Sequence, residues 1–111
     1  MTISTHDNFV VVKEKSNDLK KIIFLLKPLL TTQLKDKNLI IDLLDYQLIS
    51  LNDLLLFQKV SDEFKEVNKS FVVVTNSLNA SELPEEIMIV PTLQEAEDII
   101  EIEEIERELG F

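Results

Sequence analysis

The chain has 111 residues, 45% of them hydrophobic and 29% charged, which suits one soluble globular domain with a single core. It has no cysteine, which rules out disulfides, thiolate zinc sites and a cysteine nucleophile. The net charge of -10 lies in the last third: ten acids balance ten bases through Lys69, and eleven acids then face the single Arg107. Such a balance argues against direct nucleic-acid binding, which needs a basic face, and favours a basic protein partner.

Residues 1–8, MTISTHDN, lack the basic start and apolar run of a secretory signal, and no window approaches the roughly 20 apolar residues that span a bilayer. The expected location is the cytoplasm, without a membrane partner. Residues 3–5 and 9–13 are short β-prone runs around His6-Asp7-Asn8, so a hairpin is expected there. Ser16-Asn17-Asp18 offers a helix N-cap before Leu19, Ile22, Ile23, Leu26, Leu29 and Leu30 at helical spacing. Pro28 lacks a backbone donor and crowds the preceding turn, so this helix is expected to kink or end near Lys27, with residues 29–34 as a second helical piece.

Residues 38–43 and 70–75 are apolar runs without alternation, as in strands covered on both faces. Between them, residues 51–67 carry Leu54, Leu55, Phe57, Val60, Ser61, Phe64 and Val67, an amphipathic helix long enough for a parallel crossover. Residues 78–86 read as a loop with one helical turn and residues 87–90 as a last strand. Pro91-Thr92 opens a final helix whose apolar stripe is Leu93, Ala96, Ile99, Ile100, Ile102, Ile105 and Leu109; Gly110, the only glycine, stands at its C-terminal cap, with Phe111 as the cap's apolar contact. The order calls for an α/β domain over residues 1–111, a small, mostly parallel sheet of four to five strands covered by helices. A single glycine leaves no glycine-rich phosphate loop, and no nucleotide or other cofactor is expected.

At the join of strand and helix stand Leu39-Ile40-Ile41-Asp42-Leu43, then Ser50-Leu51-Asn52-Asp53-Leu54, then Phe71-Val72-Val73-Val74. This arrangement resembles the STAS domain of bacterial anti-sigma factor antagonists, in which such a strand leads to Asp-Ser-Ser-Gly-Leu at a helix start. The resemblance implies a STAS-like fold and a partner surface at Ser50, Leu51, Asn52, Asp53 and Leu54, engaged by a kinase-like regulator. The phosphorylation motif is degenerate. Ser50 falls on the family's Asp, Leu51 on its first Ser, Asn52 on the phosphate-accepting Ser and Asp53 on its Gly, so only Leu54 is retained. The ending PTLQEAEDIIE is similar to that of short bacterial STAS-like proteins that carry the label ribonuclease Z. That chemistry needs two zinc ions held by a cluster of histidines, and this chain has only His6. A role as accessory partner of such a nuclease is the compatible alternative.

Ser50 followed three residues on by Asp53 also resembles a capping box, and capping is favoured over Ser50 as a phosphosite. Asp53 at a helix N-terminus suits the helix dipole, or mimics a phosphate there. Asp42 and Asp45 are too few for a hard cation, so no metal site is expected, and Tyr46 is expected to cover the sheet edge. His6 lacks catalytic neighbours and reads as a solvated turn residue; no catalytic residue is assigned and no enzyme is expected. A competing reading is an enzyme or ligand-binding protein with a small-molecule pocket at the carboxyl ends of the strands, near Ser50 and Asn76. The acidic face of the last helix reads as a solvated face, with a docking surface for a basic partner as the functional alternative.

Overall fold

A computed structural model describes residues 1–14, 18–46, 49–77 and 83–110. It shows a compact α/β architecture in the order β1 (Thr2–Thr5), β2 (Val10–Lys13), α1 (Leu19–Leu30), β3 (Leu39–Asp42), α2 (Leu51–Leu55), α3 (Gln58–Glu66), β4 (Phe71–Val74), β5 (Met88–Val90) and α4 (Leu93–Glu108). The five strands form one sheet in sequential order. Strands β1 and β2 make the expected antiparallel hairpin, with Thr5 opposite Val10. The other pairs are parallel, with Leu39 between Val10 and Phe71.

A sheet that grows by one strand at a time through right-handed crossovers keeps those crossovers on one face. The packing follows this logic. Val10, Val12, Leu39, Ile41, Phe71 and Val73 face the helices α1 to α3, whose Ile22, Leu26, Leu54 and Phe64 complete one core with Phe57 of the α2–α3 junction. The alternate residues Ile40, Val72, Val74 and Val90 face the other way, against Ala96 and Ile100 of α4. Strands β3 and β4 are buried at every position because helices cover both of their faces.

Three expectations change. The first helix does not stop at Lys27: α1 runs through Pro28 to Leu30, capped by Asp18, whose side chain accepts from the Lys20 amide at 3.0 Å. Pro28 and Phe24 are both exposed, so the Phe24 carbonyl that loses its helical donor can be hydrated. The six residues after the helix are turns rather than a second helix. Ser16 and Asn17 lie outside the described residues, as do residues 78–82 of the expected loop and Phe111 of the expected cap.

The helix expected over residues 51–67 is split in two. Leu56 donates to the Asp53 carbonyl at 3.2 Å and Phe57 to that of Leu54 at 3.0 Å. Such i to i-3 bonds bring residues three apart over one another, and here they align Leu54 with Phe57, both fully buried. Finally, only part of the expected stripe of α4 reaches the core. Ala96 and Ile100 are buried and Ile99 partly so, whereas Leu93, Ile102, Ile105 and Leu109 are exposed. Gly110 takes φ +82 at the helix end, the left-handed conformation in which a side chain would be strained.

Candidate functional site

The carboxyl edge of β3 positions the first candidate surface. Asp42 ends the strand, and its Oδ1 accepts from the Leu44 amide at 3.0 Å, turning the chain out of the sheet. Asp45 then pairs with Lys13 Nζ at 3.2 Å, a half-exposed bridge between this turn and β2. Asp42 and Asp45 are thus used in a turn and an ion pair. Among the described residues, no three His, Asp or Glu side chains gather in a way that could hold a metal ion.

Tyr46 follows, and it joins the α1 to α3 core with 6% of its surface exposed. Its hydroxyl has no hydrogen-bond partner among the described residues. Burial raises the phenol above its usual pKa of 10.0, and the nearby charges of Glu14 and Asp18 push in the same direction.

The capping box at α2 forms in both directions. The Ser50 hydroxyl accepts from the Asp53 amide at 3.1 Å, and the Ser50 amide donates to Asp53 Oδ2 at 3.1 Å. Two donors that a helix start leaves unpaired are thereby satisfied, and the Asp53 carboxylate sits at the positive end of the helix. Of the five residues expected to form the partner surface, Ser50, Leu51 and Asn52 are exposed and Asp53 is half-buried. Leu54 is fully buried and anchors α2 to the core, so it has no place on that surface. Leu55, one turn beyond Leu51, takes its place: the two are 42% and 43% exposed on one side of the helix. Four successive apolar residues, 54–57, give no sign in sequence of which one faces out.

At the opposite edge of the sheet lies a polar cluster that motif reasoning missed. Asn38, buried just before β3, donates from Nδ2 to the Asn8 carbonyl and to Glu104 Oε1, both at 2.8 Å. Its Oδ1 accepts from the Ser70 amide at 2.8 Å. Arg107 reaches in from α4, donating to Glu104 at 2.6 Å and to the Ser70 hydroxyl at 3.0 Å. The bond from Asn38 and then that from Arg107 hold the Glu104 carboxyl below its usual range. These groups saturate one another and leave α4 tied to the starts of β3 and β4. The one available sign of them was Arg107 standing alone among eleven acids.

At the hairpin turn, His6 is exposed, bonded to Ser4 Oγ at 3.0 Å and stacked on Phe9 with ring centroids 4.6 Å apart. Asn76, after β4, is exposed. Among the described residues, no helix is long and apolar enough to cross a membrane. No protein-family model matches the chain, and no curated protein matches its sequence.

Proposed function

We propose that this chain is a non-enzymatic, STAS-like protein-interaction module whose partner surface is the outer side of α2, formed by Leu51, Asn52 and Leu55, with Ser50 behind it as the helix cap. The observation that carries this reading is the exposed pair Leu51 and Leu55 on a helix fixed at its start by the capping box and at its inner side by Leu54. A rigid helix presenting two apolar side chains beside polar ones is a common form of protein recognition site. The sequential mixed sheet with a strand-to-helix join at Ser50 supports the STAS-like reading of the fold. In this reading, Ser50 works as a helix cap rather than a phosphate acceptor, because its hydroxyl is engaged with Asp53. Phosphate on Ser50 would stand beside the Asp53 carboxylate, whose repulsion offsets what the helix dipole contributes.

The test is affinity capture at low salt from the source organism, with wild-type bait and a Leu51→Glu/Leu55→Glu bait compared by quantitative mass spectrometry. One protein enriched by the wild type and lost with the double variant is the expected result. Equal recovery by both baits, or no reproducible partner, overturns the assignment of this surface.

A further inference from the structure

Two surfaces on this chain each combine exposed apolar residues with charge, the first acidic and the second with more lysines than carboxylates. The first is the outer face of α4. Ile102, Ile105 and Leu109 recur at i, i+3 and i+7 with 52%, 49% and 66% of their surfaces exposed. Asp98, Glu101, Glu106 and Glu108 are exposed along the same helix. Three apolar residues adjacent on one exposed helix face form a stripe that a partner surface could cover.

The second surface is a groove of about 320 Å³ near the amino edge of the sheet, where the end of α1 approaches the end of α3. Leu30, Leu34, Phe64 and Val67 form its apolar lining. Around them stand Lys35, Lys37 and Lys69 against Asp36 and Glu63, a margin of one positive charge in a chain whose net charge is -10, and Lys69 also acts on Glu104 of its own α4. The groove belongs to the face covered by α1 and α3, whereas α4 packs on the opposite face. The α4 stripe therefore does not fill the groove of its own chain.

We propose that the outer face of α4 of one copy seats in the α1–α3 groove of a second copy, in a head-to-tail contact. Charge selects this arrangement over α4 pairing with itself. A symmetric α4 pair would bring two rows of carboxylates together, and like charges across an interface are strongly disfavoured. In the groove, those carboxylates meet lysines while Ile102, Ile105 and Leu109 meet Leu30 and Val67 over the buried floor of Leu34 and Phe64. A contact between two different patches is heterologous, so each copy keeps one free half, and assembly continues until a ring closes or a filament grows. Neither patch includes Leu51 or Leu55, so this contact and the partner surface on α2 are independent.

The experiment is sedimentation velocity over a concentration series at low salt, on the full chain. Wild-type protein gains mass with concentration and loses that gain at high salt, where lysine-carboxylate attraction is screened. Ile105→Glu removes the stripe and keeps the groove; Lys35→Glu/Lys37→Glu does the reverse. Each variant alone stays a monomer at concentrations where the wild type assembles. An equimolar mixture forms a species of twice the monomer mass and no larger, because it contains one intact stripe and one intact groove. That recovery also shows that both variants are folded, which far-UV circular dichroism checks separately. A wild type that stays monomeric throughout overturns the proposal, as does a mixture of folded variants that fails to pair. Assembly that is lost in Ile105→Glu yet retained in the lysine variant overturns it in favour of α4 pairing with itself.

Discussion

Asn38 Nδ2 donates to Glu104 Oε1 at 2.8 Å, joining two residues 66 positions apart and fastening the last helix to the start of the central strand. Asn38 is almost completely buried and also serves the Asn8 carbonyl and the Ser70 amide, so its side chain is the hub of that corner. Replacing it by alanine strands the buried Ser70 amide and removes the donor to the part-buried Asn8 carbonyl and Glu104 carboxylate. Since each orphaned group costs roughly 1–3 kcal/mol, Asn38→Ala is expected to lower stability by about 2–4 kcal/mol. A urea titration checks this as a fall in midpoint with an unchanged slope.

Glu104 makes the same corner sensitive to acid. Its carboxyl is held below the ordinary value of 4.5, chiefly by the bond from Asn38 and then by that from Arg107. A carboxyl lowered in the folded state contributes stability above its unfolded pKa and loses that contribution as pH falls through the folded one. The wild type is therefore expected to exceed Glu104→Gln in stability at neutral pH. The gap should narrow as pH drops below about 4.5. Thermal melts of both proteins between pH 7 and 3 measure it, and a gap independent of pH would contradict the assignment.

Tyr46 gives the opposite dependence. Its phenol is raised by burial first and by Glu14 and Asp18 next. The folded state thus holds the proton more tightly than the unfolded one. That stability is fully present below pH 10.0 and is lost as pH rises through the raised value. Tyr46→Phe abolishes this alkaline loss. It also removes a hydroxyl that has no partner among the described residues, so at neutral pH it should match the wild type or exceed it by roughly 1 kcal/mol. Denaturation curves at pH 7 and pH 10.5 separate the two effects.

The legible parts of the fold were those set by local chemistry. Ile40-Ile41 and Val72-Val73 announce buried strands because apolar residues in succession need cover on both faces, and His6-Asp7-Asn8 announces the hairpin. The capping box was readable because it spans only Ser50 to Asp53. What sequence could not settle depends on contacts between distant segments. Leu54 and Leu55 are chemically alike, and only the turn at Leu56 and Phe57 decides which is buried. In α4, the periodicity that marks an amphipathic helix does not say that the sheet covers Ala96 and Ile100 and leaves Ile102, Ile105 and Leu109 outside. The Asn38 and Arg107 corner brings together four segments whose residues carry no joint signature, so it emerges only with the tertiary structure.

The capping box at Ser50 separates a structural serine from a regulatory one. Its hydroxyl accepts from the Asp53 amide, so Ser50→Ala leaves that donor to water and should cost about 0.5–2 kcal/mol. Aspartate caps a helix about as well as serine, and Ser50→Asp should therefore retain most of the stability despite the added charge near Asp53. If Ser50 is a cap, capture of the α2 partner follows stability: Ser50→Asp binds as the wild type does, and Ser50→Ala binds once folded. If Ser50 is instead a phosphate-controlled switch, Ser50→Asp changes partner capture several-fold while its urea midpoint stays put. Measuring both quantities on the same two variants decides between a hydroxyl that holds the helix and one that signals.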